Sequence, residues 1–220
     1  MTKKAVVLLS GGLDSTTCMG VADKEGYEIY PISFDYGQIH NRELDCAVRI
    51  ANHYDVEEHR IINMANVGGS ALTDSEIDVP DHNGDGEIPV TYVPARNILF
   101  LSYALGYAEV IEAEAIFIGV SSVDYSGYPD CRPEFINAFQ NVIDVGTKAG
   151  VEGNSIQIKT PLLNLSKAET VELADETGAP LELTTTCYRG GKKACGVCDS
   201  CKLRLKGFEE AGIEDPIEYE

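Results

Sequence analysis

Two groups of residues in this chain have the types and spacing of chemistry. The first is Ser10-Gly11-Gly12-Leu13-Asp14-Ser15, followed at once by Thr16 and Thr17. The apolar run Ala5 to Leu9 before it reads as a buried strand, and a helix is predicted to begin near Asp14. Paired glycines at such a junction let backbone N–H groups approach an anion closely and adopt φ values that other residues resist. The helix start adds unpaired donors and the positive end of its dipole. Hydroxyls of Ser10, Ser15, Thr16 and Thr17 surround the same point. The pattern predicts a phosphate cradle built from Leu9, Ser10, Gly11, Gly12, Leu13, Asp14, Ser15, Thr16 and Thr17. It is not a Walker A loop, because no lysine follows Gly12 until Lys24. Asp14 is placed where negative charge repels phosphate, so it is expected to act through Mg²⁺ or to cap the helix. The bland alternative is an ordinary strand–turn–helix made of small residues.

The second group is Cys187-x7-Cys195-x2-Cys198-x2-Cys201. Four thiolates fill a tetrahedral zinc shell and leave no open position, which points to a structural site. Gly190, Gly191 and Gly196 allow the tight turns such a knuckle needs. An iron–sulfur cluster is the competing reading, but the fourth cysteine of a ferredoxin-type run is missing and 202–206 continues as a helix. Cys18, Cys46 and Cys131 are scattered, and seven cysteines in 220 residues do not make a disulfide framework.

The elements that must position these groups alternate. Strands are predicted at 4–9, 28–34, 57–62, 115–120 and 155–159, with helices between them. Leu44, Ala47, Val48 and Ala51 mark one helix face. The segment 96–112 is apolar nearly all round and is expected to be a buried helix. Ser166 and Glu169 form a capping-box pattern for a helix that stops at Gly178, with Pro180 beyond. The implied fold is α/β, a Rossmann-like parallel sheet of about five strands flanked by helices, with ligands beyond the strands' carboxyl ends. Its expected division is a nucleotide-binding domain, 1–183, and a small four-cysteine segment, 184–220. The polar, glycine-rich stretch 66–90 reads as a lid over the nucleotide.

Formal net charge is −19, from 36 acids against 17 bases, which argues against a broad nucleic-acid surface. The one dense basic stretch, 189–206, coincides with the cysteines and is read as offsetting thiolate charge. No apolar run approaches the roughly 18 residues of a membrane span. The five-residue apolar run near the start is too short for a secretory signal, so a cytoplasmic protein is expected.

Ser10-Gly-Gly-Leu-Asp-Ser15 resembles the pyrophosphatase loop (PP-loop) of enzymes that cleave ATP between the α and β phosphates. Over nearly its whole length the chain resembles the 7-cyano-7-deazaguanine synthases of queuosine and archaeosine precursor synthesis. The matching pieces extend the loop to Cys18 and include Phe34-Asp-Tyr-Gly-Gln38 with His40, and Val93-Pro-Ala-Arg-Asn-Ile-Leu-Phe100. Asp124-Tyr-Ser-Gly-Tyr-Pro-Asp-Cys-Arg132, Lys167-Ala-Glu-Thr170, Thr186-Cys-Tyr188 and the cysteine spacing complete them. The resemblance implies an adenine nucleotide alpha hydrolase-like fold and a ligase that joins 7-carboxy-7-deazaguanine to ammonia at the expense of ATP. It implies an acyl adenylate, an amide, a second adenylation and a nitrile. ATP, Mg²⁺ and zinc are the expected cofactors and a homodimer the expected assembly. Asp14, Arg96 and Lys167 are the expected catalytic residues. Asp124, Tyr125, Tyr128, Asp130 and Arg132 are expected to hold the base, with Arg132 meeting its carboxylate. With no room for a glutaminase domain, ammonia is expected from solution. A tRNA sulfurtransferase, which the acidity disfavours, and a non-catalytic ATP sensor are the rival readings.

Overall fold

The computed structural model describes residues 2–64, 68–74, 76–79, 88–122 and 128–220. Five strands form its parallel sheet: β1 (Lys4–Leu8), β2 (Glu28–Asp35), β3 (Arg60–Asn63), β4 (Ala115–Phe117) and β5 (Gln157–Lys159), in the order β3-β2-β1-β4-β5. This is the doubly wound arrangement, in which strand order reverses between β1 and β4 and leaves a crevice beyond their carboxyl ends. The central strand is buried on both faces, as a parallel strand covered by helices must be. Pro31 can stand in β2 because it precedes Ile32, where pairing with β3 begins.

Helix α1 (Leu13–Lys24) and helix α2 (Arg42–His53) cover one face, where Val7, Leu9, Met19, Ile50 and Phe117 pack together. Helix α3 (Arg96–Val110) and helix α4 (Pro133–Gly146) cover the other, against Val6, Ile32, Ile116 and Ile118. Pro133 starts α4 at a position where no N–H is needed. A single turn, α5 (Lys148–Val151), follows it. The capping box of Ser166 and Glu169 opens α6 (Lys167–Thr177), and Gly178 in the left-handed region closes it. Helix α7 (Asp199–Ala211) packs along α6.

The expectation that 96–112 is buried all round is corrected. Leu101, Ala104, Tyr107 and Ala108 face the sheet, but Ile98, Leu99, Tyr103 and Val110 are exposed, Val110 by 78%. One sheet face covers only one stripe of a helix, so the remaining apolar positions are left outside. The fourth strand also ends earlier than expected, at Phe117 rather than residue 120. Gly119 follows, where a Cβ would lie 2.9 Å from the Asp14 carbonyl carbon, so the chain passes directly against the start of α1.

Gly11 is the tightest point of the turn after β1. Its φ is +85°, and a Cβ there would come within 2.2 Å of the Glu43 carbonyl oxygen. Gly11→Ala is therefore expected to cost about 3 kcal/mol through left-handed strain and overpacking, seen as a lower urea midpoint. An unchanged midpoint would contradict this packing.

Candidate active site

The turn lies at the reversal of strand order. Gly12 is the N-cap of α1 and, having no side chain, supplies no capping oxygen. The Thr16 N–H bonds back to the Gly12 carbonyl at 3.1 Å, which leaves the first-turn N–H groups of Leu13, Asp14 and Ser15 facing the cleft without helical partners. Helix α6 has the opposite arrangement, since its capping box closes it. The Ser10 and Ser15 hydroxyls lie 3.0 Å apart at the cradle's rim. The loop is held from behind. The Thr185 N–H donates to Gly11 O at 3.0 Å. Ser33 Oγ donates to Leu9 O at 2.5 Å and accepts from His59 Nε2 at 2.7 Å. Burial lowers the His59 pKa, so the ring is held neutral.

Leu9, Ser10, Gly12, Leu13, Asp14 and Ser15 line a cleft of about 290 Å³. Gly11, Thr16 and Thr17, also expected in the cradle, are not among its lining residues. The two threonines are fully buried and donate to the carbonyls of Gly12 and Leu13, at 2.8 and 2.9 Å. These hydroxyls tighten the helix's first turns instead.

Three charged side chains converge on the cleft. Lys167, the first residue of α6, donates to both Asp14 carboxylate oxygens, at 2.7 and 3.0 Å. Its aliphatic stem fits because Gly207 of α7 has no side chain, and a Cβ there would sit 2.5 Å from Lys167 Cγ. Arg96 opens α3 after Ala95, which is itself left-handed at φ 56°. Its guanidinium carbon lies 5.9 Å from the Tyr36 ring centroid. Glu43, in the first turn of α2, lines the same wall. Burial raises its carboxyl pKa, and the charge of Arg96 offsets part of that rise. A cation at a helix N-terminus is unfavourable unless an anion compensates it, so Arg96 marks this end of the cleft for negative charge.

An aromatic wall of Phe34, Tyr36, Phe100 and Tyr128 completes the cleft, with Phe34 and Phe100 stacked at 4.0 Å. Among the expected base-binding residues, Tyr128 lines it and hydrogen-bonds Thr91 Oγ1 at 2.8 Å. Asp130 is buried and is not itself among the cleft-lining residues: its carboxylate accepts from the N–H of Asn97, which does line the cleft, at 3.0 Å, serving as a cap for α3 from outside the helix. Asn97 Nδ2 in turn donates to Asp130 O at 3.0 Å. Arg132 is exposed at the N-cap of α4 and does not line the cleft. Asp124 and Tyr125 lie outside the described residues, as does the acidic tract 81–87 of the expected lid. Leu72, from the described part of that stretch, lines the cleft and accepts from the Ile39 N–H at 3.1 Å. Sequence reasoning missed Tyr36, Glu43 and Asn97. Tyr36 and Asn97 fall inside motifs it singled out, whereas Glu43 looked like one more acid on an amphipathic helix.

The four cysteine sulfurs of the C-terminal segment lie within 4.8 Å of one another. A tetrahedral zinc–thiolate shell has sulfurs about 3.8 Å apart, and Cys195 Sγ to Cys201 Sγ is 3.9 Å. The donor set fits a metal. Hydrogen bonds from Cys198 and Cys201 hold the Cys187 pKa far below the usual thiol range. The knuckle is tied to the sheet domain by Arg42 Nη1, which donates to Gly191 O and Lys192 O at 2.6 and 2.5 Å. Arg204 does not offset thiolate charge, as was expected of the basic stretch. It is 1% exposed and pairs with Asp215 at 2.9 Å, while Tyr219 donates to the same carboxylate at 2.6 Å. That pair secures the last residues of the chain. Among the described residues no helix is long and apolar enough to cross a membrane.

Sheet order, loop and cleft together define a doubly wound α/β protein with its site at the reversal of strand order. The model of the queuosine biosynthesis protein QueC matches residues 4–212, and the chain belongs to that family. It is similar to 7-cyano-7-deazaguanine synthase 2 of Desulfitobacterium hafniense, 75% identical over 99% of this chain and 93% of the relative. The 7-cyano-7-deazaguanine synthase of Acetivibrio thermocellus is 69% identical over 99% and 98%. Among solved structures, NMN synthetase from Francisella tularensis shares the fold at a TM-score of 0.52 and 15% identity, covering 97% of this chain and 79% of that one.

If the knuckle carries a metal that pins 187–201 against the cleft mouth, chelation is expected to lower Tm by roughly 5 °C or more. Calorimetry showing the same Tm with and without a strong chelator would contradict it.

Proposed function

We propose that this chain converts 7-carboxy-7-deazaguanine, ammonia and ATP to the 7-cyano base, with release of AMP and pyrophosphate. The observation that carries the reading is the placement of an uncapped helix N-terminus, Lys167 and Arg96 in one cleft with an aromatic wall. The N–H groups of Leu13 to Ser15 hold the leaving pyrophosphate, with the Ser10 hydroxyl at its rim. Lys167 and Arg96 neutralise charge on the phosphates. The flat base stacks along Tyr36, Phe100 and Tyr128, with Asp124 and Tyr125 as its further expected contacts.

A carboxylate resists attack by ammonia, so its oxygen first takes AMP from ATP. Ammonia displaces AMP to give the amide. The amide oxygen is adenylated in turn, and loss of AMP leaves the nitrile. Asp14 is the candidate ligand for Mg²⁺, which supplies charge neutralisation at the phosphates when bound. Zinc is the metal proposed for Cys187, Cys195, Cys198 and Cys201, where it would supply rigidity alone. The protein is proposed to act in the cytoplasm.

Purified protein given ATP, Mg²⁺, ammonium and the 7-carboxy base is expected to form AMP and then the nitrile, read by mass spectrometry as loss of water from the amide. Glutamine in place of ammonium should support no turnover. ATP bound without AMP release under any of these conditions would overturn the reading. A homodimer is also proposed, for which the exposed Ile98, Leu99, Tyr103 and Val110 of α3 offer apolar surface. Light scattering should then give twice the chain mass, and a monomer mass would contradict it.

A further inference from the structure

We propose that Glu43 is the base that takes protons from the reacting nitrogen. This assignment rests on the nitrile-forming reading above. Ammonia enters that sequence carrying all its hydrogens and the nitrile nitrogen keeps none. One N–H bond breaks as ammonia adds to the acyl group and another as the amide oxygen attacks phosphorus. The last breaks as the adenylated imidate expels AMP. There the N–H electron pair becomes the final C–N bond, the C–O bond to AMP breaks, and its electrons leave on the phosphate oxygen. Nothing is oxidised or reduced, but every stage needs a proton acceptor beside the nitrogen.

Among the described residues lining the cleft, few groups can accept one. No histidine lines it. Cys131 does, but burial and then Asp130 push its thiol up to about 12, so it stays protonated. Tyr36 is likewise held protonated by burial. Asp14 pairs with Lys167 through both oxygens and, with nucleotide bound, is the residue proposed for Mg²⁺. Asp199 begins α7, on the knuckle side of the cleft. Glu43 is different in place and in surroundings. The close fit of Gly11 against its carbonyl seats it on the flank of the loop, and it lines the same cleft as Arg96 and Tyr36. No hydrogen bond from another described residue engages its carboxylate in the way Lys167 engages Asp14. Burial makes that carboxylate a stronger base than one in water, as proton abstraction near neutral pH requires.

Adenylation of the acid breaks no N–H bond, and this separates the role from mere support of Arg96. Acid-dependent ATP–pyrophosphate exchange without ammonium reads the adenylation alone. Nitrile release, from the acid with ammonium or from the amide, reads the proton-consuming stages. Glu43→Gln is expected to lower nitrile release roughly a hundredfold or more relative to exchange, whatever its effect on exchange itself, with Glu43→Asp in between. Nitrile release by E43Q within about threefold of wild type would overturn the assignment. So would exchange that falls in step with nitrile release, since Glu43 would then only hold Arg96. Wild-type protein that makes no nitrile would overturn the functional reading itself, and the role of Glu43 with it.

Discussion

Every α-helix starts with N–H groups that its own backbone cannot satisfy, and proteins usually close that end with a side-chain oxygen. Helix α6 does so through Ser166 and Glu169, whereas α1 does not. Its N-cap is Gly12 and its first-turn donors open into the cleft; a glycine at this position costs only a few tenths of a kcal/mol relative to a capping side chain. The surrounding structure maintains this open end. Gly11 and Gly119 let α2 and the end of β4 come against it, and Thr185 and Ser33 fix the two sides of the turn. The bare N-terminus at the sheet's reversal point is the constraint from which the rest of the site follows.

Electrostatics then sort the molecule. A chain of net charge −19 that handles triphosphate must gather cations locally. Lys167 and Arg96 come from the starts of two different helices and line the same cleft as α1's end. Neither is free in the absence of ligand. Lys167 is paired with Asp14, and Arg96 faces Tyr36 and Glu43. Internal partners of this kind keep a concave cationic site from being left unpaired, and a triphosphate can displace them by competition. The knuckle contributes at one remove, because Arg42 and the bridge between Gly12 and Thr185 connect it to the loop.

Much of this was legible in the residues alone. The strand–glycine–helix junction, the cysteine spacing and the capping box depend on short-range chemistry, and they appear where expected. The parallel sheet followed from alternation of apolar runs with helical patterns. What failed depended on direction and distance. Apolar content all round 96–112 suggested burial, but which stripe meets the sheet is a tertiary matter, and Tyr103 and Val110 lie outside. Thr16 and Thr17 were near the phosphate in sequence, yet their hydroxyls turn back to helix carbonyls. The cap that Asp130 gives α3 across a long gap in the chain was likewise not legible. Glu43 carried no local signal, because only the packing of α2 against Gly11 brings it to the cleft.

The central claim is that a bare helix end, and not a lysine-bearing loop, receives the nucleotide's phosphates. A crystal structure of the protein with Mg²⁺ and α,β-methylene-ATP tests it most directly. The account predicts the β and γ phosphates within hydrogen-bond distance of the Leu13, Asp14 and Ser15 N–H groups, with Lys167 or Arg96 reaching the same oxygens. A triphosphate bound elsewhere, with those N–H groups facing solvent, would contradict it.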